Sequence, residues 1–181
     1  MDRMEADDDR KVAVLVAGPE ASGTRLVTRL FLECGLEGSD RHVQPADSTG
    51  WPDPSLLEIG AVWRRSIPHR KSVPKLKELA RSAQAMGYTN HLVVVQRDWY
   101  ATARAQVDKH RPTTMEEAFE SIQAAYSHLL HTIPFCRTTA INYESLVKRP
   151  RKVMAWVCKR LEIPDPADYP TIQDANEKRY G

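Results

Sequence analysis

The stretch Lys11–Leu32, KVAVLVAGPEASGTRLVTRLFL, decides the fold of this chain. It begins with a run of mostly β-branched apolar residues, 12–16, which is typical of a central parallel strand that is buried on both faces. A turn bounded by Gly18 and Gly23 follows, and apolar side chains then recur at a helical spacing, at Leu26, Val27, Leu30 and Phe31. The stretch therefore predicts a strand, a glycine-bounded loop and a helix.

Such a loop is suited to binding an anion. Glycines allow backbone N–H groups to converge, and the N-terminus of the following helix adds a partial positive charge. We therefore expect a phosphate group here. The nucleoside-triphosphatase loop G-x-x-x-x-G-K-[ST] has lysine directly after its second glycine, whereas here Gly23 is followed by Thr24 and Arg25. This difference argues against a site for ATP and magnesium and favours a loop that holds one terminal phosphate.

The rest of the chain alternates strands with helices. Strands are predicted over 56–67, 91–96 and 137–142, and helices over 73–86, 99–110, from 113 onward and over 151–161. Residues 36–54, rich in Gly, Ser, Asp and Pro, are predicted to form a long irregular loop that acts either as a lid or as a substrate-contacting loop. The alternation predicts an α/β fold in three layers, with a central, mainly parallel sheet of about four to five strands.

Length and composition bound the class of protein. A chain of 181 residues, 41% hydrophobic and 28% charged, fits one domain, which we expect over 11–181 after a flexible acidic leader, 1–10. Cys34, Cys136 and Cys158 lack metal-ligand spacing and are expected to be reduced and at least half-buried. The chain has no apolar run long enough to span a membrane and no signal-peptide pattern, which predicts a cytoplasmic protein.

A basic segment follows the second predicted strand. Arg64, Arg65 and His69 would lie at the rim where parallel sheets bind ligands. The guanidinium groups could clamp an oxyanion, and His69 could accept the proton of an attacking hydroxyl. Strand capping would explain the same residues without any ligand. His42 and Asp47 in the long loop are competing candidates for the base.

Three separated motifs resemble, in order, those of the sulfotransferases that use 3′-phosphoadenosine 5′-phosphosulfate. The segment Gly18–Arg25, GPEASGTR, is similar to their 5′-phosphosulfate loop, especially in enzymes that modify glycosaminoglycans. The strand VVVQ followed by Arg97 and Asp98 resembles their 3′-phosphate motif, and Asn142–Leu146 resembles their Y-E-x-L segment. The resemblance spans about residues 11–163 and implies a P-loop fold.

The resemblance also implies an activity. A sulfuryl group would pass from 3′-phosphoadenosine 5′-phosphosulfate to a hydroxyl of a small molecule or glycan, leaving adenosine 3′,5′-bisphosphate, with no metal and with no nucleic-acid or membrane partner. His69 would be the base, and Arg65, or less favourably Arg64, would stabilise the transferring group. The nucleotide would be bound by residues of the loop, the third strand end and the tail: Gly18, Ser22, Gly23, Thr24, Arg25, Arg97 and Lys178.

Two positions depart from the family pattern. Ala21 stands where the loop usually has lysine, and Ala105 stands where the 3′-phosphate motif has serine, with Thr102 and Arg104 nearby as substitutes. Removing one preorganised charge-stabilising group typically costs about 3–4 kcal/mol of transition-state stabilisation. Another cation would have to replace the lysine, with Arg65, Arg25 and Lys71 the candidates by sequence, or the activity is slow or different.

Two alternatives follow from these departures. A P-loop kinase of a small metabolite or nucleotide would use Thr24 and Asp98 to hold magnesium with ATP. A catalytically inactive nucleotide-binding module would keep the grip on the 3′-phosphate without turnover.

Overall fold

The computed structural model describes residues 12–42, 62–67, 75–109, 114–165, 169, 172 and 174–176, and it contains a five-stranded parallel sheet. The strands are β1 (Val12–Pro19), β2 (Gly38–His42), β3 (Val62–Ile67), β4 (Thr89–Gln96) and β5 (Arg137–Asn142). They lie in the order β2-β3-β1-β4-β5, and every pairing is parallel. The predicted α/β fold with a central parallel sheet is confirmed.

Six α-helices connect and flank the strands within the described residues. They are α1 (Thr24–Glu33), α2 (Leu76–Ala85), α3 (Trp99–Lys109), α4 (Met115–Leu130), α5 (Tyr143–Lys148) and α6 (Pro150–Leu161). A short 3₁₀ turn, Ile133–Phe135, leads into β5. None of the helices in the described part of the chain is both long enough and apolar enough to cross a membrane.

Both faces of β1 are buried, which explains its continuous apolar run. Val14 and Val16 face one core, formed with α1 and α6, and Leu15 and Ala17 face a second core, formed with α2 and α4. Side chains alternate between the two faces of a strand, so a strand covered on both sides needs apolar residues throughout. The sheet is thus the middle of three layers.

Local signals set the helix boundaries. The first helix ends at Glu33, and Gly35 adopts the left-handed φ of 87° that helix termination favours. Thr114 accepts a hydrogen bond from the Glu117 N–H while the Glu117 carboxylate accepts one from the Thr114 N–H, a capping box that begins α4. Both boundaries agree with the sequence prediction. Cys34 and Cys158 are buried and Cys136 is half-buried, also as predicted.

The structure differs from the sequence prediction at two places. Strand β2 lies inside the segment 36–54 that was predicted to be irregular, and residues 43–54 lie outside the described part. Its sequence GSDRH has no apolar pattern, because β2 is an edge strand whose main contact is the backbone of β3. Tyr143–Lys148 forms a short helix where a turn was predicted. Strand β3 lies inside the predicted strand 56–67, whose residues 56–61 lie outside the described part. The leader and the single domain over 11–181 stay predictions.

Candidate functional site

A cavity of about 390 Å³ lies where β1, β3 and β4 end, and we call it the loop cavity. Its wall contains the loop after β1, the first turn of α1, and side chains of the neighbouring elements. Those side chains are Arg64 and Ser66 from β3, Arg97 after β4, Lys109 from α3 and Tyr143 from α5. Parallel sheets bind ligands at this carboxyl edge, so the location agrees with the sequence prediction of an anion site.

The glycines of the loop are required by its shape. Gly23 has a left-handed φ of 99°, and a Cβ atom there would lie 2.7 Å from the Tyr143 ring. A Cβ atom at Gly18 would lie 2.7 Å from both Ser22 Oγ and the Val95 carbonyl oxygen. Ala21 also adopts a left-handed φ, 65°, which costs an alanine about 1–2 kcal/mol. The residue at the position of the family's lysine is therefore held in an unfavourable backbone conformation.

The N-terminus of α1 opens into the loop cavity. Its first turn carries no acidic residue, and Gly23 at the N-cap has no side chain to satisfy the helix N–H groups. The partial positive charge of the helix is therefore directed at the cavity. The Ser22 N–H, by contrast, donates to the Pro19 carbonyl at 3.1 Å, and the buried Ser22 hydroxyl lies beside Gly18 under the loop. Of the predicted loop ligands, Gly23, Thr24 and Arg25 line the loop cavity, whereas Gly18 and Ser22 do not.

Arg97 ties the end of β4 to this loop. Its Nη1 donates to the Ala21 carbonyl at 2.8 Å, and its Nε donates to Asn176 Oδ1 at 2.7 Å. The guanidinium carbon lies 4.7 Å from the centre of the Tyr143 ring, within cation–π distance. The Arg97 side chain is buried and lines the loop cavity, which fixes its orientation beside the loop.

A second side chain holds the same loop from α3. Gln106 is buried, and its Nε2 donates to the Glu20 carbonyl at 2.8 Å. Two consecutive loop carbonyls, those of Glu20 and Ala21, are therefore bonded by side chains of the β4–α3 unit. These two hydrogen bonds stabilise the left-handed conformation of Ala21, since a strained residue persists only where its surroundings fix it.

The segment 174–176 closes one side of the site. The Ala175 N–H donates to the Tyr143 hydroxyl at 3.1 Å, and Asn176 Nδ2 donates to Glu144 Oε1 at 2.9 Å. The same carboxylate oxygen accepts the Asp98 N–H at 2.9 Å. Tyr143 and Glu144 belong to the Y-E-x-L segment, which was noticed in the sequence but given no role. Nothing in the local sequence identified Asn176 or Gln106.

The two adjacent arginines of β3 lie on opposite faces of the sheet. Arg64 lines the loop cavity together with Ser66, whose Oγ lies 3.2 Å from Thr24 Oγ1. Arg65 shares its face with Trp63 and Ile67, which pack into the core formed with α2 and α4. Burial lowers the pKa of Arg65. The structure thus brings Arg64 to the loop, whereas the sequence favoured Arg65.

Several predicted site residues lie outside the described part of the chain, namely His69, Asp47, Lys71 and Lys178. His42 is described only as the backbone end of β2. The roles assigned to them stay predictions.

The proposed substitutes for the family's serine do not line the loop cavity. Ala105 is buried, Thr102 donates its hydroxyl to the Asp98 carbonyl, and exposed Arg104 lies 3.9 Å from the Asp108 carboxylate. Lys109, one turn beyond Gln106, does line the cavity. The cations around the cavity, within the described part of the chain, are Arg25, Arg64, Arg97 and Lys109.

Asp98, the candidate magnesium ligand of a kinase, has a structural role here. Its Oδ1 accepts the Ala101 N–H at 2.8 Å and so caps the start of α3, and it does not line the loop cavity. Over the ranges that the structure describes, His, Cys, Asp and Glu side chains form no group of three that could hold a metal ion.

No family profile and no curated protein sequence matches the chain. Among solved structures, the sulfotransferase domain of the Synechococcus PCC 7002 olefin synthase is similar, with a TM-score of 0.60 and 13% identity over 99% of this chain and 87% of that one. The mouse sulfotransferase SULT7A1, complexed with PAP, has a TM-score of 0.51 and 13% identity, covering 95% of this chain and 63% of that one. Likenesses at this identity show the fold alone. The chain has the fold of the sulfotransferase domains.

Proposed function

We propose that this protein is a sulfotransferase that binds 3′-phosphoadenosine 5′-phosphosulfate in the loop cavity and transfers its sulfuryl group to a hydroxyl acceptor. One observation carries the proposal. The uncapped N-terminus of α1 and the side chains of Arg64, Arg97 and Lys109, from three different elements, meet at one cavity. A concentration of positive charge beside a glycine-bounded loop suits a ligand that carries phosphate at two positions.

The residues present fit the 5′ end of such a nucleotide. The backbone N–H groups at the N-terminus of α1, where the N-cap Gly23 provides no side-chain cap, would hold the 5′-phosphate together with the Thr24 hydroxyl beside them. A glycine is needed at position 23 because a side chain there would collide with the Tyr143 ring, which packs against the loop. Backbone amides fixed in this way donate to a phosphate without reorganising.

The 3′-phosphate would contact Arg97. Hydrogen bonds to Ala21 and Asn176 already orient the guanidinium, so little side-chain entropy is lost on binding. The tail residue Lys178 is the second proposed contact and lies outside the described residues.

Lys109 or Arg64 would supply the positive charge that the family's lysine provides and that Ala21 lacks. When bound, the donor supplies the sulfuryl group for transfer to a hydroxyl. Transfer leaves negative charge on the 5′-phosphate, and a cation at the cavity wall stabilises that charge. Lys109 reaches the cavity from α3, whose position against the loop is fixed by Gln106. His69 is kept as the proposed base, with His42 and Asp47 as competitors.

Calorimetric titration tests the proposal against its two alternatives. Adenosine 3′,5′-bisphosphate and ATP are titrated separately, each with magnesium and with EDTA. We expect the bisphosphate to bind equally well under both conditions and ATP to bind weakly. Magnesium-dependent ATP binding without bisphosphate binding would contradict the proposal and favour the kinase.

A turnover assay separates the enzyme from an inactive module. The protein is incubated with the phosphosulfate donor and a set of phenolic, alcoholic and glycan acceptors, and release of the bisphosphate is followed by chromatography. Binding of the bisphosphate with no release above that of a heat-denatured control would favour the inactive module.

A further inference from the structure

Strand β5 is an edge strand of the sheet that the described residues form. It pairs with β4 on one side, and the described residues include no strand on its other side. An edge strand presents a row of backbone N–H and C=O groups that can pair with another extended chain. The sheet could therefore accept a sixth strand beside Arg137–Asn142.

Two grooves flank this edge. One of about 620 Å³ lies between β5 and the α5–α6 unit and is lined by Lys148, Arg149, Lys152 and Trp156; we call it the basic groove. The other, of about 900 Å³, lies between β5 and α4 and is lined by Trp99, Leu130 and Ile133 among others; we call it the apolar groove. Ala140 and Asn142 of β5 line both grooves. A strand added at the edge would have one face over each groove, because its side chains alternate.

Exposed apolar side chains concentrate at these grooves. In the described ranges six large hydrophobic residues are exposed, and four of them line the grooves: Trp99 (48%), Leu130 (63%), Ile133 (36%) and Trp156 (50%). Trp99 is also held in place by stacking on Tyr126, with 5.9 Å between ring centres. Clustered exposed apolar residues of this kind mark interaction surfaces in soluble proteins.

The charge of the basic groove selects an anionic occupant. The segment 145–161 contains no acidic residue and six basic ones: Lys148, Arg149, Arg151, Lys152, Lys159 and Arg160. Three of these line the groove, and their side chains are exposed. Acidic side chains placed there would gain favourable electrostatic interactions that depend on salt concentration.

The same charge argues against a second copy of this chain. A symmetric dimer formed through antiparallel β5 edges would place the same face of each sheet side by side, because the contact surface is the same on both subunits. The two basic grooves would then meet. Like charges that face each other across paired strands are destabilising.

We propose that β5 binds an extended acidic peptide segment of a partner protein as a sixth strand. Acidic side chains of the segment lie over the basic groove, and the alternating apolar side chains lie over the apolar groove. Backbone pairing supplies affinity, and the two grooves supply specificity. The basic groove shares no lining residue with the loop cavity, whereas the apolar groove shares Arg97 with it. The inference does not depend on the proposed function.

A six-residue probe that matches the length of β5 tests the proposal. A fluorescently labelled peptide of alternating Val and Glu, blocked at both ends, is titrated with the protein and followed by anisotropy. A peptide of alternating Val and Lys is the control. We expect the Val–Glu peptide alone to bind, more weakly as salt is raised, and to slow hydrogen exchange at the β5 amides.

Charge-reversal variants locate the binding. Lys148→Glu/Lys152→Glu should weaken binding of the Val–Glu peptide about tenfold, whereas Lys159→Glu, an exposed change on the same helix outside the groove, should leave it within about twofold. Equal effects of the double variant and the control would overturn the proposal. So would failure of the Val–Glu peptide to bind, or a stable dimer of the protein alone in sedimentation. If the protein bound a single-stranded oligonucleotide more tightly than the Val–Glu peptide, without slower hydrogen exchange at β5, the ligand would not be a peptide and the proposal would be overturned.

Discussion

The Arg97 guanidinium donates to the Ala21 carbonyl at 2.8 Å, which joins the proposed 3′-phosphate anchor to the loop that faces the proposed 5′-phosphate site. The two halves of the candidate site are therefore mechanically linked. Because the Gln106 amide bonds the preceding carbonyl, that of Glu20, the loop is held at two consecutive residues. Changes at α3 should consequently affect phosphate binding even where the altered residue touches no ligand.

Removing the Gln106 hydrogen bond tests this linkage. Gln106→Leu keeps the side-chain size but leaves the Glu20 carbonyl without this donor, which should lower the free energy of unfolding by about 1 kcal/mol. We expect affinity for adenosine 3′,5′-bisphosphate to fall about tenfold. Calorimetry and urea unfolding measure the two effects. Gln84→Leu, an exposed change on α2, is the matched control and should alter neither. Unchanged affinity in Gln106→Leu would show that the loop does not need this support.

Ala21 offers a gain-of-function test of the proposed chemistry. Ala21→Lys restores the lysine of the family pattern at the loop, and we expect turnover to rise about a hundredfold while bisphosphate affinity changes little. Ala21→Met has similar length without charge and should not raise turnover. Initial rates of bisphosphate release measure the difference. Equal turnover in the two variants would contradict a missing loop cation.

Lys109 is predicted to compensate for that missing cation. Lys109→Met should lower turnover at least about tenfold, whereas Lys109→Arg keeps the charge and should retain most of it. Arg104→Met, on the exposed side of α3, is the control. In the Ala21→Lys background the Lys109→Met change should have a much smaller effect, because the loop lysine then supplies the charge. Purely additive effects in the double variant would contradict compensation.

His91 should make stability depend on pH. Burial, reinforced by the charge of Arg137 and opposed by Glu162, lowers the pKa of His91. The unfolded chain then binds the proton more readily, so stability is complete above the unfolded pKa of about 6.5 and is lost as the pH falls through it. Urea unfolding between about pH 7.5 and pH 5 should show this loss. His91→Gln should reduce this loss of stability at low pH, and the exposed control His131→Gln should not. An unchanged pH dependence in His91→Gln would contradict the assignment of the loss to His91.

The sequence predicted the parts of the fold whose signal is local. Strands β1 and β4 follow from β-branched apolar runs, α1 follows from its apolar spacing and the glycine after it, and α4 follows from its capping residues. Strand β2 was missed because an edge strand with the sequence GSDRH takes its structure from pairing with β3.

In the candidate site, too, only the residues with a local sequence signal could be predicted. The loop and Arg97 belong to short motifs, whereas the bonds from Arg97 to Asn176 and from Gln106 to Glu20 join residues 79 and 86 positions apart. The choice between Arg64 and Arg65 depends on which face of β3 meets the loop. Which face of β3 meets the loop is decided only when the sheet assembles, so the sequence alone could not distinguish Arg64 from Arg65.

The most direct test of the central claim compares two nucleotides on two proteins. Adenosine 3′,5′-bisphosphate and adenosine 5′-monophosphate, which differ only in the 3′-phosphate, are titrated calorimetrically into the wild type and Arg97→Ala without metal. We predict that the wild type prefers the bisphosphate by about tenfold to a hundredfold and that Arg97→Ala loses the preference while still binding the monophosphate. A preference of the same size in Arg97→Ala, or none in the wild type, would contradict a 3′-phosphate site at Arg97.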